Sequence, residues 1–196
     1  VSTGVFGEID GGYSSSGSVE DNKVTINNAT VESVYGGKSG SGSSVKNKVS
    51  ISNSTVGTVY GGYSYRGSSE GNTVTIESGT YTDIRLYGGR TEGDYDEHGN
   101  ANGNTVVITG TTKVLGRGGE FMSLIYGGYS DWGSANNNVI TIEGGEVTGS
   151  IVGGYLRGSS RQSSTSEITA TGNTINLLGG KIAAQVVGAQ SVWDDS

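Results

Sequence analysis

The chain has 196 residues with 37 glycines, no proline, no cysteine, a single histidine and a formal net charge of −7. This acidic balance makes nucleic acid and anionic membrane surfaces poor partners, and the absence of cysteine excludes a disulfide framework. No apolar run approaches the roughly 18 residues needed to cross a bilayer, so we expect no membrane insertion of this segment.

A short motif, Val-Tyr-Gly-Gly, recurs along the whole chain. It occurs at 34–37 and again at 59–62. Related sequences stand at 9–12, 86–89, 125–128, 151–154 and 186–189. Four of the intervals between these copies are close to 25 residues and two are longer, which is the signature of a repeat architecture.

A second feature, asparagine followed by alternating apolar residues, recurs inside each interval. In the first copy Val24 and Ile26 alternate with Thr25, and this period of two predicts a strand with one buried face. A turn follows, then a short second strand at 30–31, a third strand at the Val-Tyr-Gly-Gly motif, and a polar loop such as 14–18. The asparagines that begin the strands are Asn22, Asn47, Asn72, Asn104, Asn138 and Asn173.

One repeat unit cannot bury its own apolar face, but stacked units can. Stacking places Val24 on Val49 on Val74, with parallel strands in successive units. The sequence therefore predicts an all-β fold, a parallel β-solenoid of about six to seven rungs of roughly 25 residues, without helices. We expect a single domain over 1–196. Because the chain starts at Val1 and shows no signal peptide, we expect it to be an excised segment of a larger protein.

Stacking gives the repeated polar and aromatic residues two possible interpretations each. The six asparagines either form an amide ladder, as in stacked strands, or adopt the left-handed conformation of a turn. Tyr35, Tyr60, Tyr87 and Tyr126 are expected to stack on one another, and ordinary packing is favoured over a binding role. The glycine pairs allow either positive φ or a close approach between units.

The longer intervals contain insertions at 90–103, 115–124 and 157–171, which a solenoid projects from one edge. The first insertion offers oxygen ligands suited to calcium from Asp94, Asp96, Asn100, Asn102 and Asn104. Thr105 stands where an EF-hand loop has its twelfth, acidic residue. We therefore favour a flexible acidic loop, predict no metal or other cofactor, and leave calcium binding open.

The sequence over 59–64 and 71–76, Val-Tyr-Gly-Gly-Tyr-Ser followed by Gly-Asn-Thr-Val-Thr-Ile, resembles the repetitive passenger regions of bacterial autotransporters and related surface adhesins. The resemblance extends over nearly the whole chain. It implies a right-handed β-helix that is secreted or attached to the outer membrane at the bacterial surface. It also implies attachment to a host or bacterial surface protein or glycan, or service as a stalk.

Catalytic motifs are sparse, so the sequence predicts a protein that is not an enzyme. The single histidine, His98, lies in a polar insertion beside acidic residues and has no predicted nucleophile. The alternative is a carbohydrate-active β-helix enzyme of the lyase or hydrolase type, which needs clustered carboxylates. Glu77 and Glu143 occupy matching positions, but Thr109 stands between them. A third possibility is self-association through the unpaired strands at the ends of the solenoid.

The loops that follow the glycine pairs contain most of the candidate binding residues. Tyrosine, tryptophan and arginine are enriched at recognition hot spots, although the same tyrosines could simply cover the rod. The candidates are Tyr63, Tyr65, Arg66, Arg90, Tyr95, Tyr129, Trp132, Tyr155 and Arg157.

Overall fold

The computed structural model describes residues 4–93, 97–116, 123–159 and 168–194. Within these ranges the chain is all-β and contains no helix, as the sequence predicts. Its strands are β1 Val5–Asp10, β2 Tyr13–Ser14, β3 Val19–Glu20, β4 Lys23–Asn27, β5 Thr30–Ser39, β6 Ser44–Val45, β7 Lys48–Ser52, β8 Thr55–Ser64, β9 Ser69–Glu70, β10 Thr73–Ser78, β11 Thr80–Thr82, β12 Arg85–Thr91, β13 Thr105–Ile108, β14 Lys113–Leu115, β15 Ser123–Ser130, β16 Val139–Ile142, β17 Glu146–Ser159, β18 Thr174–Leu177 and β19 Lys181–Asp194.

These strands form three sheets, and the pairing between named strands is parallel throughout the described residues. A ten-stranded sheet contains the Val-Tyr-Gly-Gly strands in the order β1-β5-β8-β12-β15-β17, with β19 on β17. A six-stranded sheet contains the asparagine strands in the order β4-β7-β10-β13-β16-β18. A small sheet joins β3, β6 and β9. Neighbouring strands come from successive repeat units, which is consistent with a solenoid-like fold.

The hydrophobic core lies between the two large sheets. Val24, Val49 and Val74 are directly paired by register, and the corresponding isoleucines of the same strands are paired in the same way. Val34 and Val59 face them from the ten-stranded sheet, and both are fully buried. Stacking like residues on like residues therefore builds the continuous apolar interior that one unit lacks.

The predicted separate second strand is present in two units, as β11 before β12 and β14 before β15, but other units differ from the prediction. The short strand at 30–31 and the Val-Tyr-Gly-Gly strand are continuous, because β5 runs from Thr30 to Ser39 without a break. An additional two-residue strand lies in the predicted polar segment. In the second unit it is held by the buried Ser44, whose hydroxyl donates to the Gly37 carbonyl at 3.0 Å and accepts from the Asn47 amide at 3.1 Å. Hydrogen bonds rather than apolar side chains form this sheet, so hydrophobic periodicity could not reveal it.

The six repeated asparagines form a ladder of amide groups. Each side-chain nitrogen donates to the oxygen of the next asparagine at 2.9–3.1 Å, from Asn22 through to Asn173. The backbone N–H of each asparagine donates to the same oxygen, as from Asn47 to Asn72 at 2.9 Å. The left-handed conformation falls on the preceding residue instead, for example Lys46 at φ 53° and Gly71 at φ 64°.

Close approach, and not positive φ, accounts for the glycine pairs. A Cβ on Gly36 would lie 2.3 Å from the Gly61 carbonyl oxygen of the next unit. A Cβ on Gly62 would lie 2.3 Å from the side-chain nitrogen of Asn72. The first glycine thus lets adjacent strands pair, and the second makes room for the ladder.

Candidate binding surface

Two columns of side chains run along the outer face of the ten-stranded sheet, and we call them together the aromatic stripe. The first column contains Tyr35, Tyr60, Tyr87 and Tyr126, which pair by register across β5, β8, β12 and β15. Their ring centroids lie 4.6, 5.0 and 5.1 Å apart with interplanar angles of 6–8°. Parallel in-register strands are about 4.8 Å apart, which is why the rings stack without displacing the backbone.

The second column begins three residues further along each strand. Its members, paired by register, are Tyr13, Lys38, Tyr63, Arg90, Tyr129 and Tyr155. Tyr129 and Tyr155 stack at 4.7 Å, whereas Tyr63 and Tyr129 meet the first column edge to face, with centroids 5.3–5.8 Å apart. The rings are therefore parallel within a column and nearly perpendicular between columns.

Arg90 takes a tyrosine position in the second column and is the centre of a charged cluster. Its guanidinium lies 4.9 Å from the Tyr129 ring centroid and 5.3 Å from that of Tyr87. It also forms an ion pair of 2.8 Å with Glu92, which in turn accepts a 2.9 Å hydrogen bond from the Tyr63 hydroxyl. Burial by itself would lower the pKa of Arg90. The neighbouring Tyr87 and Glu92 outweigh this effect and raise the pKa above its ordinary value, so the guanidinium stays charged at physiological pH.

A carboxylate from the next unit lies beside this cluster. Asp131 follows β15, and its backbone N–H donates to the Thr91 carbonyl at 3.2 Å, which places it in register with Glu92. Burial and then the neighbouring Glu92 raise the pKa of Asp131, while Arg90 and Arg157 oppose the shift. One of its oxygens, Oδ1, is buried without a hydrogen-bond partner.

Lys38 is the other cation of the second column and lies between Tyr13 and Tyr63. Its ammonium lies 4.5 Å from the Tyr35 ring centroid and 2.6 Å from the Glu8 carboxylate. Asp10 adjoins this pair, and burial followed by repulsion from Glu8 raises its pKa. The stripe therefore presents ring edges, hydroxyl groups and paired charges of both signs.

Five tyrosines of the stripe, Tyr155 among them, have a pKa raised above that of free tyrosine. Burial is the largest cause, and it raises the pKa of Tyr87 to about 12. The pKa values of Tyr35, Tyr63 and Tyr129 also lie well above 10, again chiefly because of burial. These hydroxyls consequently remain neutral hydrogen-bonding groups at physiological pH.

The structure brings four of the nine candidate binding residues together, namely Tyr63, Arg90, Tyr129 and Tyr155 in the second column. The other described candidates lie beside it, two residues further along their strands or in the adjoining turns. Tyr65 is exposed, with the Arg66 guanidinium 5.8 Å from its ring centroid and paired to Glu97 at 2.9 Å. Trp132 is half-buried and Arg157 is exposed. Tyr95 lies outside the described residues.

Glu92 and Asp131 were missed by the sequence analysis. Both stand two residues beyond a member of the second column, and this constant offset is the signal that could have found them.

The calcium hypothesis falls partly outside the described residues, because 94–96 are not among them. Within the described ranges no group of three histidine, cysteine or acidic side chains could hold a metal ion.

The same part of the chain contains no helix long and apolar enough to span a membrane.

No protein-family model, curated protein or solved structure matches the chain.

Proposed function

We propose that the chain is a right-handed β-solenoid of about six to seven rungs that forms a rigid segment of a secreted or surface-displayed bacterial adhesin. The aromatic stripe is its contact surface for a host or bacterial surface protein or glycan. One observation supports this most strongly: the tyrosines and cations of the second column, none of them buried, are held at in-register positions along one face. Residues fixed in this way lose little conformational entropy on binding.

The composition of the stripe agrees with a recognition role. Tyrosine and arginine combine apolar area with hydrogen-bonding groups and are enriched at binding hot spots. In the first column Tyr87 and Tyr126 are buried, so a partner meets the stripe mainly through the second column and the half-buried Tyr35 and Tyr60. Arg90, Glu92 and Asp131 add a donor and two acceptors beside them.

The test is binding of the isolated chain to glycan arrays and to host cells, with matched surface variants. Tyr155→Ala together with Arg157→Ala is expected to reduce binding at least about tenfold, the equivalent of about 1.4 kcal/mol. Lys48→Ala, an exposed residue on the six-stranded sheet, is the control and should bind like the unaltered chain. Absence of binding, with no loss of attachment from a longer parent that lacks these units, would reduce the segment to a spacer.

A carbohydrate-active enzyme is the second candidate, and the Glu92 and Asp131 carboxylates favour it. Two neighbouring carboxyls, one with a raised pKa, are the usual acid–base pair of glycoside hydrolysis. The measurement is turnover of acidic polysaccharides by the unaltered chain and by Asp131→Asn. Loss of turnover in the variant would support the enzyme, and equal background in both would contradict it.

A further inference from the structure

A third column of side chains runs beside the second column of the aromatic stripe, two residues further along each unit. Backbone hydrogen bonds to the preceding unit continue the strand register as far as this column, and β17 continues it in the sixth unit. The residues between the second and third columns are buried, so both columns face outward. In the third to sixth units the members of the third column are Tyr65, Glu92, Asp131 and Arg157, whereas the first two units have only Ser15 and Gly40 there.

Over the third to sixth units, the second and third columns together form a patch that we call the binding array. Every position in it holds a tyrosine or a charged residue, and none of these side chains is buried. Strands about 4.8 Å apart and residues about 3.3 Å apart give the array dimensions of about 19 by 13 Å, or roughly 250 Å². A stable protein–protein interface covers about 800 Å² on each partner. The array is therefore small for a folded protein and large enough for a short oligosaccharide.

The charges within the binding array compensate one another. Arg90 pairs with Glu92 at 2.8 Å. Burial raises the pKa of Asp131, and Arg90 and Arg157 oppose the rise, so both guanidinium groups act on this carboxylate. Two cations and two carboxylates leave no net charge for an ionic partner to neutralise, and the chain as a whole is acidic. Electrostatic complementarity therefore favours an uncharged ligand over an acidic glycan.

The hydrogen-bonding groups of the binding array suit sugar hydroxyls. Carboxylates accept, guanidinium groups donate, and tyrosine hydroxyls do both, as sugar hydroxyls also do. In the middle of the array, Arg90 Nε and Asp131 Oδ1 are buried without a hydrogen-bond partner, and a hydroxyl placed beside them would relieve that cost. At one end, Tyr65 is 42% exposed and offers a ring against which the apolar face of a sugar can pack.

We propose that the binding array holds an uncharged oligosaccharide that lies across the four strands, with its hydroxyl groups on Glu92 and Asp131 and a sugar ring against Tyr65. This inference rests on the proposed function, in which the aromatic stripe is the contact surface, and it specifies the ligand. An acidic glycan and a protein are the rival ligands for the same surface.

Binding to arrayed oligosaccharides of one length tests the ligand class. The probes are uncharged hexasaccharides of glucose, mannose and galactose, with hexagalacturonate as the acidic counterpart. We expect the 196-residue chain to bind at least one uncharged probe and not the acidic one. The dissociation constant for the uncharged probe should change less than about twofold between low and high salt, because salt screens contacts between charges.

Variants of the binding array test which residues hold the probe. Tyr65→Ala and Asp131→Asn are each expected to raise the dissociation constant at least about tenfold, through loss of a packed ring or of a hydrogen-bond acceptor. Glu143→Gln removes a carboxylate from an exposed position just after β16, on the six-stranded sheet, and should bind like the unaltered chain. Circular dichroism checks folding, and Tyr65→Ala alters an exposed ring, so it remains informative if Asp131→Asn fails to fold.

An acidic ligand would respond to Asp131→Asn in the opposite direction, since the variant gives the binding array a net positive charge. Tighter binding of hexagalacturonate, binding of none of the uncharged probes, or uncharged binding that neither variant weakens would overturn the proposal. Host-cell attachment that needs Tyr155 and Arg157 but is not competed by the uncharged probes would also overturn it, while leaving the adhesive function intact. Absence of any host-cell attachment would instead contradict the adhesive function itself.

Discussion

At the residue scale, the roles of asparagine and glycine follow from what lies in the neighbouring unit. The amides of Asn47 and Asn72 are fully buried, and each finds its partners in the units above and below. A buried polar group without such partners would be costly, so the ladder holds the register of the stacked units. The second glycine of each pair makes room for the amide.

Replacement of Asn72 by alanine tests the ladder. It removes the oxygen that accepts from the backbone N–H and the side-chain amide of Asn47. The buried backbone N–H then has no partner, whereas the side-chain amide keeps its hydrogen bonds to the Val19 carbonyl and the Ser44 hydroxyl. We expect the free energy of unfolding to fall by about 3 kcal/mol, measured by chemical denaturation. Asn22→Ala, at the partly exposed start of the ladder, is the comparison and should cost less than half as much. Equal losses would contradict the role assigned to burial.

The glycine pairs offer a test of close approach. Gly62→Ala puts a Cβ 2.3 Å from the Asn72 side chain, whereas a Cβ on Gly188 meets nothing within 4 Å. We expect Gly62→Ala to lose about 2–3 kcal/mol through overpacking and Gly188→Ala to lose almost nothing. Thermal unfolding of the two variants side by side gives the measurement. A Gly62→Ala variant as stable as Gly188→Ala would refute close packing at this position.

At the scale of the element, the aromatic stripe shows how parallel strands convert a repeated sequence into a surface. Each strand of the ten-stranded sheet contributes one residue to each column, and the spacing of the strands sets the spacing of the rings. Arg90 and Lys38 interrupt the second column with cations that the adjacent rings and carboxylates stabilise. The stripe is consequently both a packed layer and a polar surface.

Alkaline pH tests how strongly the fold restrains these tyrosines. The folded pKa values of Tyr35, Tyr63 and Tyr129 lie above the ordinary 10.0, and that of Tyr87 is about 12. A raised folded pKa gives stability that is complete below the unfolded pKa and is lost as the pH rises through the folded one. We therefore expect stability to decline above pH 10 and part of the phenolate absorbance to appear late, together with unfolding. If all eleven tyrosines ionised near pH 10 while the chain stayed folded, the burial of Tyr35, Tyr63, Tyr87 and Tyr129 would be contradicted.

At the scale of the whole molecule, stability comes from contacts between successive units. Most pairing partners are about one repeat apart in sequence, and the ladder, the core columns and the stripe all pass from unit to unit. Such proteins behave as a sum of units and their interfaces.

Deletion of one complete unit should therefore be tolerated. Removing 47–71 joins Lys46 to Asn72, which is the residue equivalent to Asn47 in the next unit. The asparagine, core and tyrosine columns then continue in register across the junction. We expect a folded chain with somewhat lower thermal stability, measured by circular dichroism and heating. Removing only 47–58 is the control and should prevent folding, since it shifts the columns out of register. If both deletions fold equally well, the units are not interchangeable modules of one stack.

The repeat explains why so much of this fold is readable from the sequence. Val24 and Ile26 recur with their alternation intact at a nearly constant interval, and identical positions stack when the units do. The small sheet at Ser44 was not readable, because serine and backbone groups form it without an apolar signal. Likewise the interpretation of the asparagines stayed open, since ladder and turn demand the same residue type.

The sequence by itself determined the all-β class, the parallel stacking of like residues and the positions of the tyrosine columns, because these depend on periodicity alone. Only the tertiary structure decided which charges meet. Arg90 and Glu92 have one residue between them on one segment of chain, whereas Asp131 follows Arg90 by 41 positions and reaches the cluster from the next repeat unit. Strand register brings Asp131 to this ion pair, and the raised pKa of Asp131, chiefly due to burial, follows from that position.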